Sequence, residues 1–248
     1  MKIFLDVGGH EGQSLLSVID PKYAFDRIFV FEPVKKLHAK LKKIAAGKPN
    51  ITLLEYGLWN KNATQKIYSP GTVAGSLFSA HQDVDQDNFE QCEFVDASEW
   101  FNKNIGHKDE VYVKLNCEGA EADILLNLLK SKEIFKIKDV MIDFDVRKVR
   151  GLEGLQQDVL DKFKAAGFTS YSLCENVMKG PSAVVRLQNW LDIAGANKTD
   201  IESRTKQFFF WIKMVALHKR PGYSWEIKHF IKRYTPLFIL NLSGARRD

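Results

Sequence analysis

Two rhythms of apolar residues run along this chain. Short, nearly unbroken apolar runs rich in β-branched and aromatic residues predict buried strands at Ile3–Val7, Arg27–Phe31, Ile51–Trp59, Glu110–Asn116, Lys138–Phe144, Thr169–Leu173 and Phe208–Leu217. Between them, apolar residues three and four apart predict helices at Gln13–Ile19, Val34–Ala46, Glu121–Lys130 and Gly154–Ala166. Alternation of this kind builds an α/β fold, a mostly parallel sheet with helices on both faces. Seven strands are expected, the last antiparallel, returning after an insert at residues 176–206 that holds one helix around Val185–Leu191. Residues 60–109 break the rhythm and read as mostly irregular, with one short strand at Gln65–Tyr68. A loop that long inside a compact domain tends to be functional. In open sheets of this type, ligands bind beyond the carboxyl ends of the strands, where strand order reverses.

Composition adds an asymmetry. The chain has 248 residues, room for one domain with an appendage, and a net charge of +5. Residues 218–248 hold seven Lys/Arg against Glu226 and Asp248, which accounts for the whole net charge. The expected division is therefore a neutral body, 1–217, and a basic appendage, 218–248. Three cysteines, Cys92, Cys117 and Cys174, do not make a secreted disulfide framework and point to a reducing compartment, the cytoplasm. Met1-Lys2-Ile3-Phe4-Leu5-Asp6 lacks the apolar stretch of a signal peptide, and no apolar run approaches the 18 residues of a membrane-spanning helix.

Three segments carry candidate chemistry. The first is Asp6-Val7-Gly8-Gly9-His10-Glu11-Gly12-Gln13-Ser14, directly after the first strand. Its glycines permit a tight turn and close backbone approach to a ligand. The spacing is not the dinucleotide G-x-G-x-x-G, and the phosphate-loop lysine is absent. Asp6 at the strand end suits a cationic group better than a pyrophosphate. The second segment is Glu32-Pro33, at the tip of the second strand and 20 residues after Gly12, where a carboxylate can take both hydroxyls of a ribose. The third, Val113-Lys114-Leu115-Asn116-Cys117-Glu118-Gly119-Ala120-Glu121, runs from the fourth strand into its helix and brings Glu118 and Glu121 to a helix N-terminus. Each has an ordinary reading as well: a β–α turn, a solvated acid, a pair of helix-capping glutamates.

Taken together, Phe4-Leu5-Asp6-Val7-Gly8 with Gly12, Val30-Phe31-Glu32-Pro33 and Lys114-Leu115-Asn116-Cys117-Glu118-Gly119-Ala120-Glu121 resemble the FkbM-type family of S-adenosylmethionine (SAM)-dependent methyltransferases, over residues 3 to about 217. The resemblance implies a class I methyltransferase (Rossmann-like) fold and SAM as methyl donor. It implies that Gly8, Gly9, His10, Gly12 and Ser14 cradle the methionine part with Asp6 near its ammonium. Glu32, followed by Pro33, would hold the ribose hydroxyls, and Gly57 and Leu58 would lie near the adenine. Two positions depart from the family pattern: Gly9-His10 stands where Ala-Asn is usual, and Asn116 where Asp is favoured. Asn116 can hydrogen-bond SAM or substrate, but it is no general base and a poorer metal ligand than Asp.

Methyl transfer to a hydroxyl needs little of the protein beyond positioning and a base. His10, Glu118, Asp143 and Asp145 are the catalytic candidates. Asp143 and Asp145, two apart on the expected fifth strand, would share a face as a substrate grip, a base, or oxygen ligands for a divalent metal, which the pattern does not require. Ser76 and His81 in the long loop, with Glu118 and Glu121, are the candidates for substrate binding. The expected activity is SAM-dependent O-methylation of a sugar hydroxyl on a glycan or glycosylated metabolite, a substrate class implied by the resemblance alone. The alternatives are methylation of a small non-sugar metabolite or nucleic acid, and a non-catalytic SAM-binding scaffold.

In the tail, Ile227, Phe230, Ile231 and Tyr234 recur at helical spacing with Lys228, Lys232 and Arg233 off that stripe. The first expectation is that the stripe packs on the body or on a second copy of the chain. The second is that residues 223–240 lie on an anionic membrane surface. Nucleic acid is disfavoured, because the body is neutral and shows no recognisable binding module. Deleting residues 223–248 separates these readings: loss of methylation with SAM affinity intact marks a docking segment, whereas unchanged activity and unchanged partition onto anionic vesicles removes that role.

Overall fold

The structure, a computed structural model, describes residues 1–72 and 75–197. The expected strand at Phe208–Leu217, the appendage and its 223–240 stripe lie outside the described residues. In chain order the elements are β1 (Lys2–Val7), α1 (Gln13–Val18), β2 (Arg27–Phe31), α2 (Lys35–Ala45), β3 (Ile51–Leu54), β4 (Gly57–Trp59), β5 (Ala63–Tyr68), β6 (Phe89–Asp96), α3 (Ala97–Asn104), β7 (Glu110–Leu115), α4 (Glu121–Ser131), β8 (Ile137–Ile142), α5 (Leu155–Ala166), β9 (Tyr171–Leu173), α6 (Cys174–Val177) and α7 (Ala183–Ile193).

Six strands form one all-parallel sheet in the order β3-β2-β1-β7-β8-β9. β1 is central, and every one of its six residues is buried. That explains its mostly apolar run, interrupted only by Asp6 between Ile3 and Val7, since a strand covered on both faces has no solvent side to mark with alternating polar residues. Its odd residues Ile3, Leu5 and Val7 join Phe29, Val113 and Ile142 under α3, α4 and α5. On the other face Phe4 joins Val30, Tyr112 and Met141 under α1, α2 and α7. Two cores on the two faces of one sheet make a doubly wound α/β body. The strand order reverses between β1 and β7, and there the crevice opens.

The expected single strand Ile51–Trp59 is two. β3 ends at Leu54, and β4 begins at Gly57 in a second sheet of order β4-β6-β5. Gly57 permits the crossing: a Cβ there would lie 2.4 Å from the Phe94 ring of β6. Residues 60–109 are correspondingly more regular than expected. β6 alternates, burying Cys92 and Phe94 two residues apart, and Asp96 caps α3 by accepting the Glu99 amide at 3.0 Å. The fifth main-sheet strand, β8, stops at Ile142, so Asp143 and Asp145 do not alternate on a strand as expected; Asp145 opens a turn of 3-10 helix, Asp145–Lys148. The insert does carry its helix, α7, and the short α6 runs across its start.

α7 covers the sheet through Trp190, which is fully buried, lies 6.3 Å from Phe4 ring to ring, and donates its indole N–H to Asp139 at 3.0 Å. Among the described residues no helix is long and apolar enough to cross a membrane. Replacing Trp190 by Ala is expected to destabilise the body by about 3–5 kcal/mol, the usual cost of emptying a buried aromatic site, as read by urea unfolding.

Candidate functional site

A cleft of about 450 Å³ opens at the carboxyl ends of β1, β2, β7 and β8, within the ~300–1,000 Å³ range of small-molecule sites. The glycine turn after β1 supplies Gly8, Gly9 and His10, and the start of α1 supplies Ser14; the chain leaving β2 supplies Glu32 and Pro33; β4 supplies Gly57 and Leu58; the β7–α4 turn supplies Asn116 and Glu118; and the residue after β8 is Asp143. Residues far apart in the sequence therefore meet because parallel strands all end on one edge.

The glycine turn is locked by its own backbone. The Gly8 and Gly9 amides both donate to the Phe31 carbonyl, at 3.2 and 3.0 Å, and the Gly12 amide donates to Gly9. A Cβ on Gly8, whose φ is +84°, would sit 1.9 Å from the Asn116 carbonyl. The His10 amide donates to Glu32 at 2.7 Å, and the Val34 amide to the other Glu32 oxygen at 2.9 Å. Four amides of the turn are thus used inside the protein and do not form a phosphate cradle. Glu32 is buried, which pushes its pKa up, while the two amides and nearby cations oppose the shift. Each of its oxygens keeps a second lone pair for a ligand hydroxyl.

Asp6 is not on the cleft wall. It lies in register beside Lys114 on the neighbouring strand, fully buried, with its carboxylate 3.2 Å from the Lys114 ammonium. Burial pushes Asp6 up and Lys114 opposes this. Lys114 also donates to the Gly8 carbonyl at 2.6 Å and itself lines the cleft. The expected contact of Asp6 with a ligand ammonium therefore gives way to a structural ion pair beneath the turn. Gly12 also turns away, toward α2, where a Cβ would meet Ile44 at 2.6 Å.

The β7–α4 turn divides its carboxylates. Glu121 is fully buried and accepts the Cys117 and Gly119 amides, so it braces the turn rather than binding substrate. Burial pushes its pKa up to about 8. Glu118 does line the cleft, with φ +50°. His10 has φ +44°. Left-handed backbone at non-glycine residues is uncommon and gathers at functional sites. Burial first, then the Asp145 carboxylate, push Glu118 up to about 7 against the pull of Lys148. Asn116 donates to Asp143 at 3.3 Å; an Asp at 116 would set two like charges against each other. Asp145 is buried behind the wall, 2.8 Å from Lys148, so it does not pair with Asp143 across the cleft. Ser76 and His81 also stand behind the wall, the first donating to the Glu118 carbonyl at 2.5 Å. Among the described residues no group of three or more His, Cys, Asp or Glu is gathered to hold a metal ion.

Several wall residues were missed in the sequence. Lys114, a lysine within the apolar run Val113–Leu115, was the readable signal. Cys174, Glu175 and Arg186 of α6 and α7, and Phe94 of β6, carried none, because nothing local says which side of the sheet edge they reach. The lining holds the carboxyl groups of Glu32, Glu118, Asp143 and Glu175 against Lys114 and Arg186, with Glu118 only partly charged near neutrality. Comparison of the chain with protein-family models, with curated proteins and with solved structures finds no match in any of the three.

Glu121 sets a pH dependence. A carboxyl whose pKa is raised in the folded state holds a proton that the unfolded chain releases, so stability falls as pH rises, here from the ordinary 4.5 to about 8. Glu118 acts with the same sign up to about 7. Urea unfolding between about pH 5 and 8 should therefore show stability declining as pH rises, a slope that Glu121→Gln, which mimics the protonated acid, largely flattens.

Proposed function

We propose that this chain is a SAM-dependent O-methyltransferase of the kind its three motifs resemble, with a sugar hydroxyl as acceptor. The observation that carries the reading is Glu32. Its buried carboxylate sits at the tip of the strand beside the glycine turn and faces the cleft at the point where strand order reverses. This is where α/β nucleotide sites place a ribose diol. The turn's amides are bonded internally and acids predominate on the wall, which favours a positively charged adenosyl compound over a dinucleotide pyrophosphate.

The residues present fit such a ligand. Leu58, with Leu37 and Phe94, offers an apolar wall for a purine; Glu32 takes a diol; and Asn116 with Asp143, rather than Asp6, meets an ammonium. When bound, the sulfonium supplies an electrophilic methyl carbon. The protein then positions the acceptor and removes its proton. Glu118 is the base this reading assigns: it lines the cleft, and its pKa of about 7 matches work near neutrality. The sugar class rests on the resemblance alone; a seventh, antiparallel strand at Phe208–Leu217, expected from the apolar pattern, lies outside the described residues.

Calorimetry with S-adenosylhomocysteine tests the reading, with NADH as the control. The homocysteine compound should bind and NADH should not. Glu32→Ala should weaken binding by about 1–3 kcal/mol, roughly 5–150-fold, through loss of a charged partner to hydroxyls. An intact chain with no affinity for the homocysteine compound overturns the assignment; turnover of SAM across a panel of sugars then addresses the acceptor.

A further inference from the structure

Behind the cleft wall lie further ionisable groups, His81, Lys148 and Asp145, that the proposed reaction has not used. The segment around His81 runs against the 3-10 turn after β8. His81 bridges Val149, and the Gln82 amide donates to the Lys148 carbonyl at 2.9 Å. The β7–α4 turn packs into the same junction, where a Cβ on Gly119 would come within 3.0 Å of Phe78 and 3.1 Å of Val149. Three separate stretches of chain therefore fix what surrounds Glu118.

The His81 side chain is completely buried. Its Nδ1 accepts the Asp83 amide at 3.3 Å. A ring nitrogen that accepts has no proton, so in the neutral ring the proton is on Nε2. That Nε2 makes no hydrogen bond and stands 3.6 Å from Oε2 of Glu118. A buried N–H without a full partner is costly, and the carboxylate 3.6 Å from this one belongs to a residue that lines the cleft. The Lys148 ammonium approaches the same Oε2 at 3.2 Å. Both donors thus converge on one oxygen of Glu118.

We propose that His81 is a positioning residue for Glu118: its Nε2–H, with Lys148, engages Oε2 and presents Oε1 to the cleft as the acceptor of the substrate hydroxyl proton. The inference rests on the methyltransferase reading for its substrate and deepens it. Oε1 takes the proton while the oxygen's electron pair closes on the methyl carbon and the carbon–sulfur pair returns to sulfur. The proton then passes from Glu118 to water. The 3.6 Å gap is longer than a hydrogen bond, as is common for catalytic contacts before substrate binds. Charge around the pair is mixed: Lys148 and Asp145 come from the 3-10 turn, Asp83 from the His81 segment, and Cys117 and Glu121 from Glu118's own turn. Burial, then Lys148, hold His81 below its ordinary value, so it stays neutral and keeps its donor near pH 7.

A donor to the carboxylate favours its charged form, so removing that donor raises the Glu118 pKa. The test is carbon-13 NMR titration of the Glu118 carboxyl in the full chain. The wild-type midpoint is expected near 7. In His81→Phe it should rise by about 0.5–1 unit, the worth of one hydrogen bond. In His81→Gln, which keeps a donor in place, it should return to within about 0.3 unit of wild type. Calorimetric affinity for S-adenosylhomocysteine should stay within about twofold in both, because neither change touches the ligand groups. Long-range nitrogen-15 correlation on the wild-type chain needs no variant and should show the His81 proton on Nε2. A proton on Nδ1, or a Glu118 midpoint unmoved in folded His81→Phe, overturns the proposal. Absence of homocysteine-compound binding instead overturns the methyltransferase reading and leaves the pairing standing on its titration.

Discussion

One buried carboxylate organises the ligand edge of this protein. Glu32 spends one oxygen on the His10 amide and the other on the Val34 amide, tying the turn that leaves β1 to the chain that leaves β2. Without that tie the His10 amide would lose its partner, and the turn would be held to β2 by the two amides on the Phe31 carbonyl alone. The cost of burying the charge is offset locally by the two amides and the cations nearby. Because the same group faces the cleft, a substitution there alters both the anchoring of the turn and the lining of the cleft.

Lys114 and Asp6 do complementary work one strand over. Neighbouring parallel strands place them in register, and their ion pair lies beneath the turn with the lysine also holding the Gly8 carbonyl. Pairs of this kind add little net stability compared with apolar residues, yet losing one partner strands a buried charge. Their contribution here is geometric: they fix the height of the glycine backbone over the end of β7.

The α/β alternation was legible because strands buried on both faces leave long apolar runs and their helices leave stripes. The motif edges were legible for a related reason, since polar and glycine residues directly after such runs have one place to go. What failed was anything set by tertiary crossing. The apolar run from Ile51 to Trp59 gave no sign that the chain changes sheets at Glu55-Tyr56, which depends on Phe94 lying under Gly57. Asp6 read as a ligand group because its partner, Lys114, is more than a hundred positions away. The strand at β6 and the Asp96 cap were present as alternation and as an Asp three residues before a Glu, signals outweighed by the polarity of the surrounding stretch.

The amide at position 116 has a wider consequence. Asn116 donates an amide hydrogen to Asp143, and Glu118 lines the same cleft. A carboxylate at that position would gather three acids at the sheet edge, the hard-oxygen array that hydrated divalent ions prefer. With an amide there instead, that point of the rim offers a hydrogen-bond donor and carries no charge of its own. One heavy atom thereby sets how much negative charge this stretch of the sheet edge can gather.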